Sequence, residues 1–99
     1  MRVISGSAKG HRLRAVQGRG TRPTADRVKE AMFSALGSYF DGERVLDMFA
    51  GTGALGIEAM SRGCGHAVFV DKEKYSMDVV KENLLKTGFA DQALCLNVR

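Results

Sequence analysis

Proline occurs once in these 99 residues, cysteine twice, and no Asp or Glu precedes residue 26. Each scarcity excludes something. With Pro23 as the single proline, no Pro-Pro motif of any kind exists in the chain. Two cysteines, Cys64 and Cys95, are too few for a disulfide framework and show no metal-ligand spacing, so they read as small buried hydrophobes and no metal is expected. No apolar run approaches the roughly 20 residues that a membrane span needs, and no signal-peptide pattern opens the sequence. Cytoplasm is the expected compartment, with no membrane partner. No repeat or low-complexity tract is present. A chain this short makes at most one domain and buries only about 60–65% of its unfolded surface, so its stability margin is thin.

The missing acids give the first positive clue. Residues 1–25 hold Arg2, Lys9, Arg12, Arg14, Arg19 and Arg22, a charge of +6, whereas residues 26–99 set nine Lys/Arg against all eleven acids, a charge of −2. One end is a basic arm and the rest a mildly acidic body. Clustered arginine with interspersed glycine suits phosphate contacts, because guanidinium forks pair with phosphate oxygens and release counterions. Nucleic acid is the partner this predicts, with Lys9, Arg12, Arg14 and Arg19 as the first candidates for contact. The organisation follows: a basic hairpin or arm over residues 1–23, then a body over residues 24–99.

Within the arm, 1–5 is a short β-like run and 11–16 alternates polar with apolar, which predicts a small hairpin. Thr24 is placed to cap a helix in which Val28, Ala31, Met32, Ala35 and Leu36 share one apolar face and Gly37 makes the stop. Residues 44–49 read as a buried strand, 54–62 as a helix stopped by Gly63, 67–70 as a second strand closed by Asp71. A helix over 75–86 with Met77, Val80, Leu84 and Leu85 inward and Gly88 as its stop comes next. A third strand spans 93–98. Continuous apolar strands alternating with helices predict an α/β fold of parallel strands joined by right-handed crossovers.

The sharpest feature is Asp47-Met48-Phe49-Ala50-Gly51-Thr52-Gly53-Ala54-Leu55-Gly56, with Asp71 at the end of the next strand. Glycine at 51 and 53 permits positive φ and lets a ligand lie against bare backbone. The following helix points its first N–H groups at that ligand. Asp71 can accept both hydroxyl protons of a ribose. The geometry suits an adenosine-containing cofactor. Read literally, residues 51–56 also match G-x-G-x-x-G, so an oxidoreductase domain binding NAD is a rival. Asp47 separates the two, because a carboxylate before the turn repels a pyrophosphate and attracts the ammonium and sulfonium of S-adenosylmethionine. A dinucleotide-binding domain also tends to begin at its first strand, without a basic preamble.

The D-x-F-x-G-x-G arrangement is the first cofactor motif of class I methyltransferases. More narrowly, residues 21–33 (T-R-P-T-A-D-R-V-K-E-A-M-F) resemble the T-R-P-T-x-D-R-V-[RK]-E-x-[LM]-F signature of the bacterial RsmD family, the 16S ribosomal RNA guanine-N2 methyltransferases. The opening R-V-I-S-G-S-A-K-G-H-R-L is similar to that family's amino-terminal hairpin, and residues 47–63 resemble its glycine-turn block. Three blocks in order cover essentially the whole chain.

The resemblance implies a Rossmann-like class I methyltransferase fold with strands ordered 3-2-1 and truncated after strand 3. The implied cofactor is S-adenosylmethionine, the substrate 16S ribosomal RNA or a small-subunit assembly particle. It assigns Asp47, Gly51 and Gly53 to the methionine end, Asp71 to the ribose, Asn97 and Lys72 to the adenine pocket, and Arg22 and Thr24 to closure over the methionine carboxylate, with Phe49 also among the cofactor-binding residues. The family's [DN]-P-P-[YF] catalytic motif is absent, so no residue here is assigned a catalytic role. The sequence therefore reads as part of something longer, and a non-catalytic RNA-binding module of the same fold is the second rival. Truncation exposes the edge of strand 44–49, which predicts self-association or low stability.

Overall fold

The computed structural model describes residues 2–14, 23–48 and 50–98, with the side chains of residues 23–26 outside the description. In chain order the elements are α1 (Pro23–Leu36), β1 (Arg44–Asp47), α2 (Ala54–Ser61), β2 (His66–Asp71), α3 (Lys74–Thr87), a 3₁₀ turn (Ala90–Gln92) and β3 (Ala93–Asn97). The strands form one parallel sheet ordered β1-β2-β3, as expected, with Arg44 opposite His66, Asp47 opposite Phe69 and Asp71 opposite Asn97. A monotone order with crossovers of one hand places both connecting helices on the same face. Accordingly α2 packs on β1 and β2, and α3 on β2 and β3. Ala67 and Phe69, on that face, are fully buried, while Leu46, Leu94 and Leu96, on the other, are exposed. The strands that read as buried are so on one side: among the described residues only one sheet face carries helices, and burial alternates along β1 and β2.

Gly53 and Gly56 fix how α2 leaves β1. Gly53 takes the left-handed conformation at the head of α2 (φ 82°), and Gly56 lies so close to the Phe69 ring that a Cβ there would collide with it. That contact lets α2 sit tight on β2. Gly88 closes α3 in the left-handed conformation, its N–H and that of Phe89 donating back to the last turn.

Three local expectations give way. Helix α1 begins at Pro23, so Thr24 lies inside its first turn and not before it. Proline suits the first helical position, where its missing N–H costs nothing. The stripe Val28, Ala31, Met32, Ala35 and Leu36 is exposed, and over residues 27–36 the buried residues of α1 are Lys29 and Phe33. Their partners are a buried carboxylate and the Phe40 and Arg62 side chains, so polar pairing overrode the apolar pattern. On α3, Met77, Val80 and Leu84 are buried but Leu85 is exposed, just off the inward stripe.

The amino-terminal hairpin is reduced to a single antiparallel bridge, Arg2 with Arg12, flanked by Val3 N–H donating to the His11 carbonyl and Gly10 N–H to the Val3 carbonyl. Among the described residues no longer ladder forms there, because its backbone donors are used elsewhere. Ile4 and Ser5 donate to Glu58, Ala8 to the Ser61 hydroxyl and Arg14 to Asn83. Val3, Ala8 and Leu13 join the same core as Ile57, Phe69 and Val80, so the described part of the arm is anchored on the body.

Candidate functional site

Of the predicted residues, Asp47, Gly51, Gly53, Asp71, Lys72 and Asn97 are described, and they lie at or just after the carboxyl ends of the three strands. Asp47 is the last residue of β1 and half-buried. Three residues on, the Ala50 N–H donates to the Val70 carbonyl, which ties the start of the turn to β2. Gly51 (φ 57°) and Gly53 (φ 82°) both take positive φ, as their spacing predicted. Gly53 N–H closes back on the Ala50 carbonyl at 2.7 Å. The turn is held open by a carboxylate: Asp71, buried at the end of β2, accepts the Gly51 N–H through Oδ2 and the Glu73 N–H through Oδ1, each at 2.9 Å. One acid therefore organises both the glycine turn and the entry to α3, and each of its oxygens can accept more than one hydrogen bond.

Asn97 faces Asp71 across the β2–β3 register, but its Nδ2 donates to the Asp71 and Lys72 carbonyls at 3.1 and 3.0 Å. It braces the backbone of the expected adenine pocket. Lys72 is exposed beside it. Phe49, Arg22 and Arg19 lie outside the described residues, as does the Thr24 side chain. Lys9 and Arg12 are exposed on the amino-terminal hairpin. Arg14 is also exposed, but its guanidinium donates to Glu82 and to the Tyr75 hydroxyl, and the Glu82 carboxylate raises its pKa further. Among the described residues no cluster of His, Cys, Asp and Glu could hold a metal. Burial pushes both cysteine thiols up, so neither is an activated nucleophile.

Two buried polar residues behind the turn were not singled out in the sequence. Glu58 on α2 is fully buried and pairs with Lys29 at 3.3 Å and Arg62 at 2.8 Å while accepting the Ile4 and Ser5 N–H groups. Burial alone would push its carboxyl up; the Ile4 N–H, Arg62, Lys29 and the Ser5 N–H outweigh that and hold it below the ordinary value of 4.5. Asn83 on α3, also fully buried, reaches both the turn and the arm. Their only sequence signal is a polar residue at an inward helical position, and the arm residues they hold lie more than fifty positions away.

Comparison with known proteins agrees with this geometry. The model of the family described as "Conserved hypothetical protein 95" matches residues 1–98. YlbH of Bacillus subtilis, provisionally named an rRNA methyltransferase, is 60% identical over 84 residues, covering 85% of this chain and 46% of its own length. Ribosomal RNA small subunit methyltransferase D of Haemophilus influenzae is 40% identical over 84 residues, covering 85% of this chain and 44% of its own. Among solved structures, yhhF of Escherichia coli, provisionally named a methyltransferase, superposes with a TM-score of 0.84 at 35% identity, covering all of this chain and 54% of its own. The chain spans less than half the length of these curated relatives.

Proposed function

The chain belongs to the family described as Conserved hypothetical protein 95, and from that premise we propose that it forms the cofactor-binding part of an RNA methyltransferase. The methyl donor is S-adenosylmethionine and the acceptor N2 of a guanine in 16S ribosomal RNA, naked or in a small-subunit particle, in the cytoplasm. The observation that carries this reading is the positive-φ turn at Gly51 and Gly53, set between the carboxylates of Asp47 and Asp71. Bare backbone flanked by two acids fits a nucleoside with a cationic tail and disfavours a pyrophosphate. The names of the relatives point the same way.

When bound, the cofactor supplies an electrophilic methyl group on a sulfonium. The residues of this chain would bind and orient it: Asp47, Phe49 and the Gly51–Gly53 backbone at the methionine end, Arg22 and Thr24 over its carboxylate, Asp71 at the ribose. Lys72 lines the adenine pocket and Asn97 shapes its wall through the 71–72 backbone. Residues 1–23 serve as the RNA-contacting arm of the 24–99 body, with Lys9, Arg12 and Arg19 on phosphates. Arg14, engaged with Glu82, contributes more to docking the arm. No residue of the chain is assigned to the chemical step, since it holds no Pro-Pro motif.

Calorimetry with S-adenosylhomocysteine against NAD tests the reading. The wild type should bind the former alone, and Asp47→Ala should weaken that binding at least about tenfold, the loss of one charge-assisted hydrogen bond. Binding of NAD, or indifference to Asp47→Ala, would overturn it.

A further inference from the structure

Asn83 is fully buried on α3, yet the three hydrogen bonds its side chain makes all leave the helix. Its Oδ1 accepts the Arg14 N–H at 2.7 Å, and its Nδ2 donates to the Arg14 carbonyl at 3.0 Å and to the Thr52 carbonyl at 2.9 Å. This pattern fixes which way the amide points, because the reverse orientation would set Oδ1 against two carbonyls. Thr52 is the residue between the two positive-φ glycines of the turn. Arg14 belongs to the basic amino-terminal stretch that also holds Arg2, Lys9 and Arg12.

We propose that Asn83 is a positioning residue that couples occupation of the glycine turn to the placement of the basic arm, a proposal that rests on the cofactor reading above. A single NH2 group holds one carbonyl in the turn and one in the arm. A ligand lying against the turn fixes the Thr52 carbonyl, firms the shared donor, and so steadies the Arg14 backbone in the basic arm. By linkage the effect is reciprocal: RNA that fixes the arm tightens the cofactor. The remaining anchors of the arm bypass the turn, since Ile4 and Ser5 rest on Glu58, and Ser7 and Ala8 on Ser61. They provide an internal control.

Amide hydrogen exchange, followed by NMR on the full chain with and without saturating S-adenosylhomocysteine, tests the coupling. The Arg14 amide should slow at least about fivefold more than those of Ile4 and Ser5, the lower end of ordinary coupling between sites. Equal slowing of all three is what general stabilisation by a ligand produces, and it would overturn the proposal. In Asn83→Asp, which can still accept the Arg14 N–H but when ionised donates neither to the Thr52 nor to the Arg14 carbonyl, the excess at Arg14 should vanish; its persistence would also overturn the proposal. The wild-type ratio decides the matter if that variant does not fold. Absence of any chemical-shift change on adding S-adenosylhomocysteine is a different result: it removes the cofactor reading and this proposal together.

Discussion

At the scale of single residues, Glu58 is the group on which most depends. A carboxylate with no exposed surface faces two buried cations, whose charge it neutralises, and accepts the N–H groups of the half-buried Ile4 and Ser5. Breaking a buried pair costs about 3–5 kcal/mol, a large part of a small domain's margin. Its pKa gives the sign of the pH effect. The folded value lies below the ordinary 4.5, so the stabilisation is fully present above that value and is lost as pH falls through the folded one. Urea titrations should therefore show the midpoint dropping below about pH 4.5. Glu58→Gln should lower stability at neutral pH by the amount above and remove that acid dependence. A variant as stable as the wild type at pH 7 would refute the role. The placement of Asp47, Gly51 and Gly53 was legible in the sequence because a strand-to-helix turn is local, and that of Asp71 because it closes the next apolar run. Glu58 and Asn83 were not, because what they hold in the arm lies 53 to 69 residues away along the chain.

At the scale of elements, the alternation of strands and helices and their stops were readable, since glycines and apolar runs mark them within a few residues. The inward stripe of α3 was readable too, in Met77, Val80 and Leu84, but the buried face of α1 was not. Helix α1 turns Lys29 and Phe33 inward and leaves Val28, Met32 and Leu36 outward. That outward face borders a groove of 540 Å³ lined by Met32, Leu36, Leu46, Met48 and Leu55, alongside the edge of β1. Among the described residues β1 pairs only with β2, so its other edge presents backbone donors and acceptors beside exposed leucine. Such an edge templates association. We expect the apparent mass in sedimentation velocity to rise with protein concentration. Leu46→Lys, at a residue 59% exposed, should reduce that rise without loss of stability. A wild type that stays monomeric throughout would contradict this.

At the scale of the whole molecule, charge separation is the dominant feature, a +6 arm on a −2 body. Long-range attraction of a polyanion depends on that asymmetry more than on any one side chain. Charge reversal at Lys9 and Arg12 should weaken binding of an oligoribonucleotide and flatten its salt dependence by about one unit of slope for each phosphate left without its cation. Affinity for S-adenosylhomocysteine should stay unchanged. Filter binding across a salt series measures both slopes, and identical slopes would remove the arm from RNA binding. The sequence by itself determined the parallel α/β order, the glycine turn with its two acids, and the charge asymmetry, because each follows from residues close together in the chain. Only the tertiary structure decided that α1 buries a charge instead of its apolar stripe, that both connecting helices lie on one sheet face, and that Asn83 joins arm to turn. Burial and hydrogen-bond satisfaction are settled between distant segments, where no local pattern can anticipate the partner.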